Sequence, residues 1–228
     1  MRRAAVLFIT VFVLIVFSAI LLTNSITIVQ RVARVSNVRG SVELQAPGDG
    51  TYKPVTQDRN AQAGSMLRTG ADGRATLRWA DGTTLRVGPD STLTIDKCRF
   101  DKRHASTLSH FTLSAGRVWV HVVKMLSAES KFEISTPTAT AGVRGTAFAM
   151  DVASDGATSV LVYDGMVEVH AGNKPFAVKQ GQALAVAKGG DTSLRELSDK
   201  ERAEGEEALA DTSPATGAAA RSGPPASG

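Results

Sequence analysis

Apolar and polar residues alternate along most of the chain with the two-residue period of a β-strand. In V-R-G-S-V-E-L-Q-A (38–46) the residues Val38, Val42 and Leu44 share one phase. The same alternation places arginines on one face and apolar residues on the other in R-A-T-L-R-W (74–79) and T-T-L-R-V (83–87). Such segments, separated by glycine turns, run from Ile26 to about Val186 and predict an all-β domain of many short strands. Its architecture is left open between a roll, a sandwich and a solenoid.

Asp-Gly pairs mark two turns whose register can be predicted. Around Asp81-Gly82, a three-residue loop pairs Leu77 with Leu85 on one face, which predicts a type I turn with a glycine bulge. At Asp164-Gly165, a two-residue loop pairs Val162 with Val167, which predicts a tight type I′ hairpin. In a solenoid the same glycine turns would serve as corners rather than hairpins.

The longest apolar run lies at the N-terminus, where Ala4 to Leu22 contains no charge, proline or glycine. A helix of this length spans about 28 Å, which matches the hydrocarbon core of a bilayer. A cleaved signal peptide is the alternative, with Val16 and Ser18 before a cleavage at Ala19. Because the apolar run continues to Leu22, we expect an uncleaved signal anchor. Arg2 and Arg3 favour an N-terminus inside, which places the rest of the chain in a periplasm or an equivalent extracytoplasmic space.

The C-terminal part differs in composition from the β region. Ser198 and Glu201 fit a capping box, which predicts a short helix from about Asp199 to Ala210. The last segment, 212–228, is rich in Pro, Gly, Ala and Ser and is expected to be disordered. The predicted organisation is a stub and signal anchor (1–25), an extracytoplasmic β domain (26–197), a short helix or linker (198–211) and the tail (212–228).

The formal net charge of +4 conceals a gradient along the chain. Residues 31–131 contain 16 Lys or Arg and 9 Asp or Glu, whereas residues 198–228 contain 3 and 6. A basic surface can attract an envelope protein, a polysaccharide or an anionic surface such as lipid headgroups. The alternative, which we favour, is that these charges keep a sheet surface soluble. Nucleic acid is not an expected partner, because no aromatic residues are interleaved with the basic ones.

Candidate catalytic groups are sparse. The four histidines, His104, His110, His121 and His170, have no zinc-ligand spacing. Cys98 lies in D-K-C-R-F-D-K-R-H, where basic neighbours could lower its thiol pKa, although a lone cysteine in a charged loop is the simpler interpretation. No nucleophile elbow or phosphate-binding loop occurs. The sequence therefore predicts a protein that is not an enzyme and binds no metal or cofactor.

The stretch T-P-T-A-T-A-G-V-R-G-T-A-F-A-M (136–150) carries one charge, Arg144. Even parity is shared by four large apolar residues, Phe132, Ile134, Phe148 and Met150. An unbroken strand would therefore turn Arg144 inward as well. The odd positions are uniformly small, as if another backbone packed against them. A buried arginine needs a partner, for which Asp151, Asp164 and Glu168 are candidates, unless Gly142, Gly145 or Pro137 resets the register. We expect a structural clamp rather than a ligand-binding arginine. As candidate ligand- or partner-binding residues the sequence offers Arg74, Arg78, Arg86 and Arg144.

Three segments together resemble the FecR family of bacterial extracytoplasmic domains. They are residues 67–95, L-S-A-G-R-V-W-V (113–120), and 132–150 followed by V-L-V-Y-D-G-M-V-E-V (160–169). The most specific element is T-P…V-R-G-T-x-F, formed by Thr136, Pro137, Gly142, Arg144, Gly145, Thr146 and Phe148. The resemblance covers about residues 60–187. It implies a non-enzymatic all-β domain and a relation to membrane regulators of iron uptake, which receive a signal from a TonB-dependent transporter and control a sigma factor.

The chain departs from these regulators before the apolar run. They carry a cytoplasmic segment that handles the sigma factor, whereas only Met1, Arg2 and Arg3 precede Ala4 here. A recognisable C-terminal domain that contacts the transporter is not evident either. We therefore expect a membrane-anchored, outward-facing binding or scaffolding module of the bacterial envelope. The alternative is a transmembrane signalling regulator related to iron uptake.

Overall fold

The computed structural model describes residues 28–56 and 58–210. Eighteen strands and one helix are present in this part of the chain, so the predicted all-β class is confirmed. The strands are β1 (Ile28–Gln30), β2 (Ala33–Arg39), β3 (Val42–Gln45), β4 (Tyr52–Pro54), β5 (Arg59–Ala61), β6 (Met66–Thr69), β7 (Arg74–Arg78), β8 (Thr84–Val87), β9 (Thr92–Asp101), β10 (Ser106–His121), β11 (Lys131–Ser135), β12 (Thr140–Val143), β13 (Ala147–Val152), β14 (Thr158–Asp164), β15 (Met166–Ala171), β16 (Lys174–Lys179), β17 (Gln182–Val186) and β18 (Thr192–Glu196), and the helix is α1 (Asp199–Ala210).

The strands form one hydrogen-bonded network that is divided into two sheets by the long strand β10. In the first, sheet A, the N-terminal half of β10 pairs with β9 and with β11. In the second, sheet B, its C-terminal half pairs with β8 and with β13. Since β10 belongs to both sheets, it connects the two layers at the middle of the molecule.

After β10 the chain adds antiparallel hairpins to the two sheets in turn. The β11–β12 hairpin lies in sheet A and the β13–β14 hairpin in sheet B. The β15–β16 hairpin follows in sheet A, against β12, and the β17–β18 hairpin in sheet B, against β14. Glycine turns therefore serve both as hairpin loops and as corners between sheets.

The Asp81-Gly82 turn has the predicted geometry. Leu77 is paired with Leu85, and the Trp79 N–H donates to the Thr83 carbonyl at 3.0 Å. The Gly82 N–H donates to the Trp79 carbonyl at 3.1 Å, and Gly82 has a φ of +90°. A side chain is strained at this φ, so the glycine suits the bulge position.

The hairpin predicted at Asp164-Gly165 is wrong. β14 pairs with β13 and β17, whereas β15 pairs with β12 and β16. Gly165 is instead a corner at which the chain crosses from sheet B to sheet A. Both flanking strands alternate in the way that a hairpin requires, so the local pattern alone does not separate a hairpin from a corner.

One hydrophobic core lies between the two sheets. Phe111 of sheet A is fully buried, and its ring centroid lies 5.5 Å from that of Trp79 and 5.1 Å from that of Phe132. The even-parity residues Phe132, Ile134, Phe148 and Met150 all face this core, as predicted. Within residues 28–56 and 58–210, the helix is too short and too polar to cross a membrane. The predicted anchor at 1–25 and tail at 212–228 lie outside the described residues.

Candidate functional site

Helix α1 packs on the outer face of sheet B, where small side chains leave room for it. Ala149, Leu161 and Ala183 are register neighbours on adjacent strands, and they are buried together with Leu197, which precedes the helix. Of the odd-parity alanines of 136–150, Ala149 faces a close neighbour as its size predicted, whereas Ala139 and Ala141 face the core between the sheets. For Ala149 that neighbour is the segment that leads into α1.

Gly205 brings the helix into direct contact with Tyr163 of β14. A Cβ atom added to Gly205 would lie 2.1 Å from Cε1 of Tyr163, so no larger residue fits without a shift. The phenol is covered by this contact, and burial raises the pKa of Tyr163 to about 12, with Glu201 and Glu204 adding to the shift. Helix α1 thus packs directly on the Tyr163 ring.

The first turn of α1 is fixed by the predicted capping box. The Glu201 N–H donates to Oγ of Ser198 at 3.3 Å, and the Ser198 N–H donates to Oε2 of Glu201 at 2.9 Å. Arg195 of β18 binds the same carboxylate through two hydrogen bonds of 2.8 and 2.6 Å. These bonds, led by those from Arg195, lower the pKa of Glu201 to about 2. The predicted helix is present over Asp199–Ala210.

A cleft of about 290 Å³ lies between α1 and sheet B, and we call it the arginine–tryptophan cleft. Its sheet side is basic and aromatic, and its helix side is acidic. The residues that line it are Arg74, Arg86, Arg117 and Trp119 from the sheet and Glu204, Glu207 and Ala208 from the helix. The charges across the cleft are therefore complementary.

Two of the arginines are held in place by neighbours. Nε of Arg117 lies 2.5 Å from Oδ2 of Asp151, its cross-strand partner, and Nη1 lies 3.5 Å from Oε2 of Glu204. Nη1 of Arg86 donates to the Ala208 carbonyl at the end of α1 at 3.2 Å. Both guanidinium groups approach the Trp119 ring, at 5.7 Å for Arg86 and 5.6 Å for Arg117. Arg74 is exposed at the rim.

The cleft brings together two of the four predicted binding residues. Arg74 and Arg86 line it, whereas Arg78 lies further along β7 and Arg144 lies in the segment after β12. Arg117 and Trp119 were not among the predicted binding residues. Their alternation within R-V-W-V-H (117–121) identifies the strand and the outward face, but the cleft exists only because a helix 80 residues later packs on it.

Arg144 is not the inward clamp that the strand parity predicts. Its side chain is exposed, and Nη2 donates to the Ser127 carbonyl at 2.9 Å. The proposed carboxylate partners are not bonded to it: Asp151 binds Arg117, and Glu168 binds His170. The parity fails because the 136–139 turn between β11 and β12 reverses it. In β12 the odd residues Ala141 and Val143 are buried, so the next even position, Arg144, faces outward and begins the crossing between the sheets.

Gly145 makes this crossing possible. It has a φ of +104°, and a Cβ atom there would lie 2.7 Å from Cα of Lys124. The register reset that the sequence left open at this glycine is therefore present. The neighbouring Thr146 accepts a hydrogen bond of 2.9 Å at its carbonyl from Val122, which ties the crossing to the end of β10.

The other residues of the T-P…V-R-G-T-x-F element have structural positions. Thr136 binds the Ala139 backbone and the Thr158 hydroxyl, which lies 2.7 Å from Oγ1. Pro137 lies in the exposed turn between β11 and β12, and Gly142 lies within β12, opposite Glu168. Phe148 is fully buried in the core.

An Asp–His–Ser array on the outer face of sheet A was not evident from the sequence. Nδ1 of His110 lies 3.1 Å from Oδ2 of Asp96, and its Nε2 lies 3.1 Å from Oγ of Ser135. Acyl transfer would also need a backbone donor for an oxyanion next to the serine. The next N–H, that of Thr136, is bonded to the Ala139 carbonyl at 2.8 Å. The array therefore has the character of a cross-strand polar ladder.

Cys98 differs from its predicted setting. It lies within β9 and is 1% exposed, facing the core rather than a charged loop. Burial raises the pKa of its thiol, and this outweighs the opposite effects of the Ser109 hydroxyl and Arg31. Among the described residues, no group of His, Cys, Asp and Glu is arranged to hold a metal ion.

Part of the chain is similar to known proteins. A family model described as FecR protein matches residues 65–168. Two crystal structures of a "putative anti-sigma factor" from Parabacteroides distasonis ATCC 8503, at 2.50 and 1.65 Å resolution, are similar, with TM-scores of 0.48 and 0.47. Each is 16% identical and aligns over 57% of this chain and 59% of the other, so the match spans about three fifths of that protein. None of the curated proteins matches. The part that matches the FecR family model, residues 65–168, includes β10 and the whole T-P…V-R-G-T-x-F element.

Proposed function

We propose that this protein is a non-catalytic regulatory module of the bacterial envelope that works by binding a partner protein at the arginine–tryptophan cleft. The observation that carries the proposal is the convergence of Arg74, Arg86, Arg117 and Trp119 on one cleft. Guanidinium groups beside an aromatic ring suit a carboxylate-bearing segment, because they combine charge, directed hydrogen bonds and a stacking surface.

Helix α1 supports this choice of ligand. Glu204 and Glu207 face the arginines in the way that the acidic side chains of a partner would. The pairing that they make is loose, since the Arg117–Glu204 distance is 3.5 Å. In this proposal the helix covers part of the recognition surface and leaves the Arg74 side open.

The location that we propose follows from the sequence. Residues 4–22 would anchor the chain in the inner membrane with the N-terminus inside, so that the FecR domain faces the periplasm. The partner would then be an envelope protein, with a polysaccharide or another anionic polymer as the remaining options. This anchorage is distinct from the cleft and is tested separately below.

A role in signalling is the second candidate, and the FecR family match favours it. In this version the bound partner is a component of a membrane signalling route, such as a transporter or a sigma-factor system. The two candidates differ in the identity of the partner rather than in the surface that binds it.

The test is affinity purification of the tagged full chain from detergent-solubilised envelopes. We expect a protein partner that is lost on Arg74→Glu, because the reversal repels a carboxylate at the open side of the cleft. Lys188→Glu, an equal charge change on the exposed β17–β18 turn, is the control and should retain it. Recovery of the same proteins by both variants would contradict partner binding at the cleft. A sigma factor or transporter in the wild-type eluate would favour the signalling version.

A further inference from the structure

Apolar side chains are exposed mainly at one edge of the molecule. Among the described residues, the exposed large apolar side chains are Ile28, Val29, Val32, Val123, Leu126, Met166 and Leu194. The first five lie on two segments, 28–32 and 122–130. Leu126 is 95% exposed, which is unfavourable in water and typical of a contact surface.

These two segments meet at the edge where the chain enters the fold, which we call the entry edge. β1 pairs with the end of β9, opposite Asp101, and Ile28 shares a groove with Glu129 and Lys131. The hydroxyl of Ser127 donates to the His104 carbonyl at 3.3 Å, so the 122–130 loop rests on the β9–β10 turn. Arg144 binds the Ser127 carbonyl and completes the edge.

The entry edge is basic. Its segments 99–106 and 122–131, together with Arg144, contain six Lys or Arg and two acidic residues. One of the acids, Asp101, is bonded to His104 at 2.9 Å and to the Arg103 N–H at 2.8 Å. Lys102, Arg103 and Lys124 are all exposed beside the apolar side chains. Basic and apolar residues side by side suit an interface of lipid headgroups.

The length of the connecting chain decides which surface is within reach. Five residues separate Leu22, the end of the apolar run, from Ile28. Even fully extended, this connection spans only about 20 Å. If residues 4–22 cross a bilayer, as proposed above, the entry edge is held next to the lipid surface of that bilayer, whereas the opposite edge is not.

We propose that the entry edge lies against the anionic lipid surface of the membrane that anchors the chain. In this arrangement Leu126 enters the headgroup region, and Lys102, Arg103 and Lys124 lie near lipid phosphates. The inference rests on the proposed anchorage but not on the arginine–tryptophan cleft, which is on the outer face of sheet B.

The buried cysteine makes a direct test possible. Cys98 is 1% exposed, so a cysteine introduced at the surface is the accessible thiol of the described chain. The full chain with Leu126→Cys is labelled with an environment-sensitive fluorophore and reconstituted in vesicles of phosphatidylcholine and phosphatidylglycerol that carry headgroup nitroxides. Ser154→Cys is the matched control, because the exposed 153–157 turn joins β13 to β14 at the strand ends opposite the 122–130 loop.

We expect the nitroxides to quench the probe at residue 126 at least twofold and to leave the probe at residue 154 unchanged. Lys102→Glu with Arg103→Glu, or vesicles of phosphatidylcholine alone, should reduce the quenching at residue 126. Equal quenching at both positions, or none at residue 126, would overturn the proposal. Concentration-dependent crosslinking of residue 126 to a second copy, without quenching, would also overturn it in favour of self-association.

Flotation of the same vesicles separates the two ideas. A chain that floats with the vesicles but shows no quenching at residue 126 is anchored, and only the placement of the entry edge is then wrong. A chain that does not float lacks the anchor, and this outcome overturns both the anchorage and the placement. In neither case is the binding of a partner at the cleft affected.

Discussion

Arg144 and Gly145 are neighbours in sequence but differ in their contribution to the fold. The guanidinium of Arg144 is exposed and bonded to one backbone carbonyl. Gly145 has a φ of +104° and lies in contact with the Lys124 backbone. The charged residue is the conspicuous one in the sequence, yet the glycine carries the structural constraint.

This contrast gives a prediction for a pair of variants. Gly145→Ala should lower the free energy of unfolding by about 1–3 kcal/mol, because alanine is strained at this φ and its Cβ would collide with Lys124. Arg144→Ala should change it by no more than about 0.5 kcal/mol, as expected for a surface side chain. Urea unfolding of the full chain in mild detergent measures both. If Arg144→Ala lowers the free energy of unfolding as much as Gly145→Ala does, Arg144 is a structural clamp after all.

The even or odd position of a residue predicts which side of the sheet it faces only within an unbroken strand. It placed Phe132, Ile134, Phe148 and Met150 in the core correctly. It failed at Arg144 because the 136–139 turn, which contains Pro137, already reverses the parity, so that the odd residues are buried in β12. A second break, at Gly145 with its positive φ, restores the even set in β13. The sequence offered Pro137, Gly142 and Gly145 as equal candidates and did not indicate that two of these places are used. The break at Gly145 involves Lys124, which approaches from a different strand connection.

At the scale of elements, α1 is the clearest case of a helix whose ends can be predicted from the sequence although its packing position cannot. The capping box of Ser198 and Glu201 is enough to predict where the helix begins. Nothing in its composition predicts where it packs, because its buried residues are only Gly205 and Ala208. The packing position of α1 is set by sheet B, whose small residues leave room for the helix and whose Tyr163 ring contacts it.

Gly205→Ala therefore tests how α1 is docked. In an exposed helix this change stabilises by about 1 kcal/mol, but here the new methyl group would collide with Tyr163. We expect the helix to move away and the pKa of Tyr163 to fall from about 12 toward its usual 10, because burial is the main cause of the shift. Spectrophotometric titration of the two tyrosines measures it.

The sign of the pH dependence follows from the same shift. Since the folded chain holds the Tyr163 proton more tightly than the unfolded chain, its contribution to stability is complete below pH 10 and is lost between about pH 10 and 12. That loss should be smaller in Gly205→Ala. Gly189→Ala is the control, because a Cβ atom there meets nothing within 4 Å. An unshifted Tyr163 titration in Gly205→Ala would show that α1 does not cover the ring.

At the scale of the whole molecule, the two sheets share one core and one strand. Phe111 is fully buried at their interface and contacts Trp79 and Phe132. Phe111→Ala should lower the free energy of unfolding by about 3–5 kcal/mol, through lost burial and the cavity left behind. Tryptophan fluorescence and circular dichroism during urea unfolding should still give one shared transition. Phe176→Ala, at a half-buried site, should cost less, and two separate transitions would mean that the sheets unfold independently.

The class of the fold was predictable because alternation and glycine turns are local properties of the sequence. The order of the strands was not, since the corner at Gly165 and the loop at Gly82 both follow an aspartate between alternating strands. Their difference lies in which strands pair at a distance, as in β14 with β17. The cleft was half predictable for the same reason: outward arginines are visible in the sequence, but the helix that closes over them is not.

The alternation of hairpins between the sheets has a consequence for how such a domain can vary in length. The first hairpin of each sheet after β10 pairs with β10, and the second, β15–β16 or β17–β18, pairs with the first, so the second hairpins form the open end of each sheet. A duplication could add one hairpin to each sheet there without altering any earlier pairing. The domain is thus open to lengthening in steps of two hairpins, provided that the added chain still returns α1 to Tyr163 of β14.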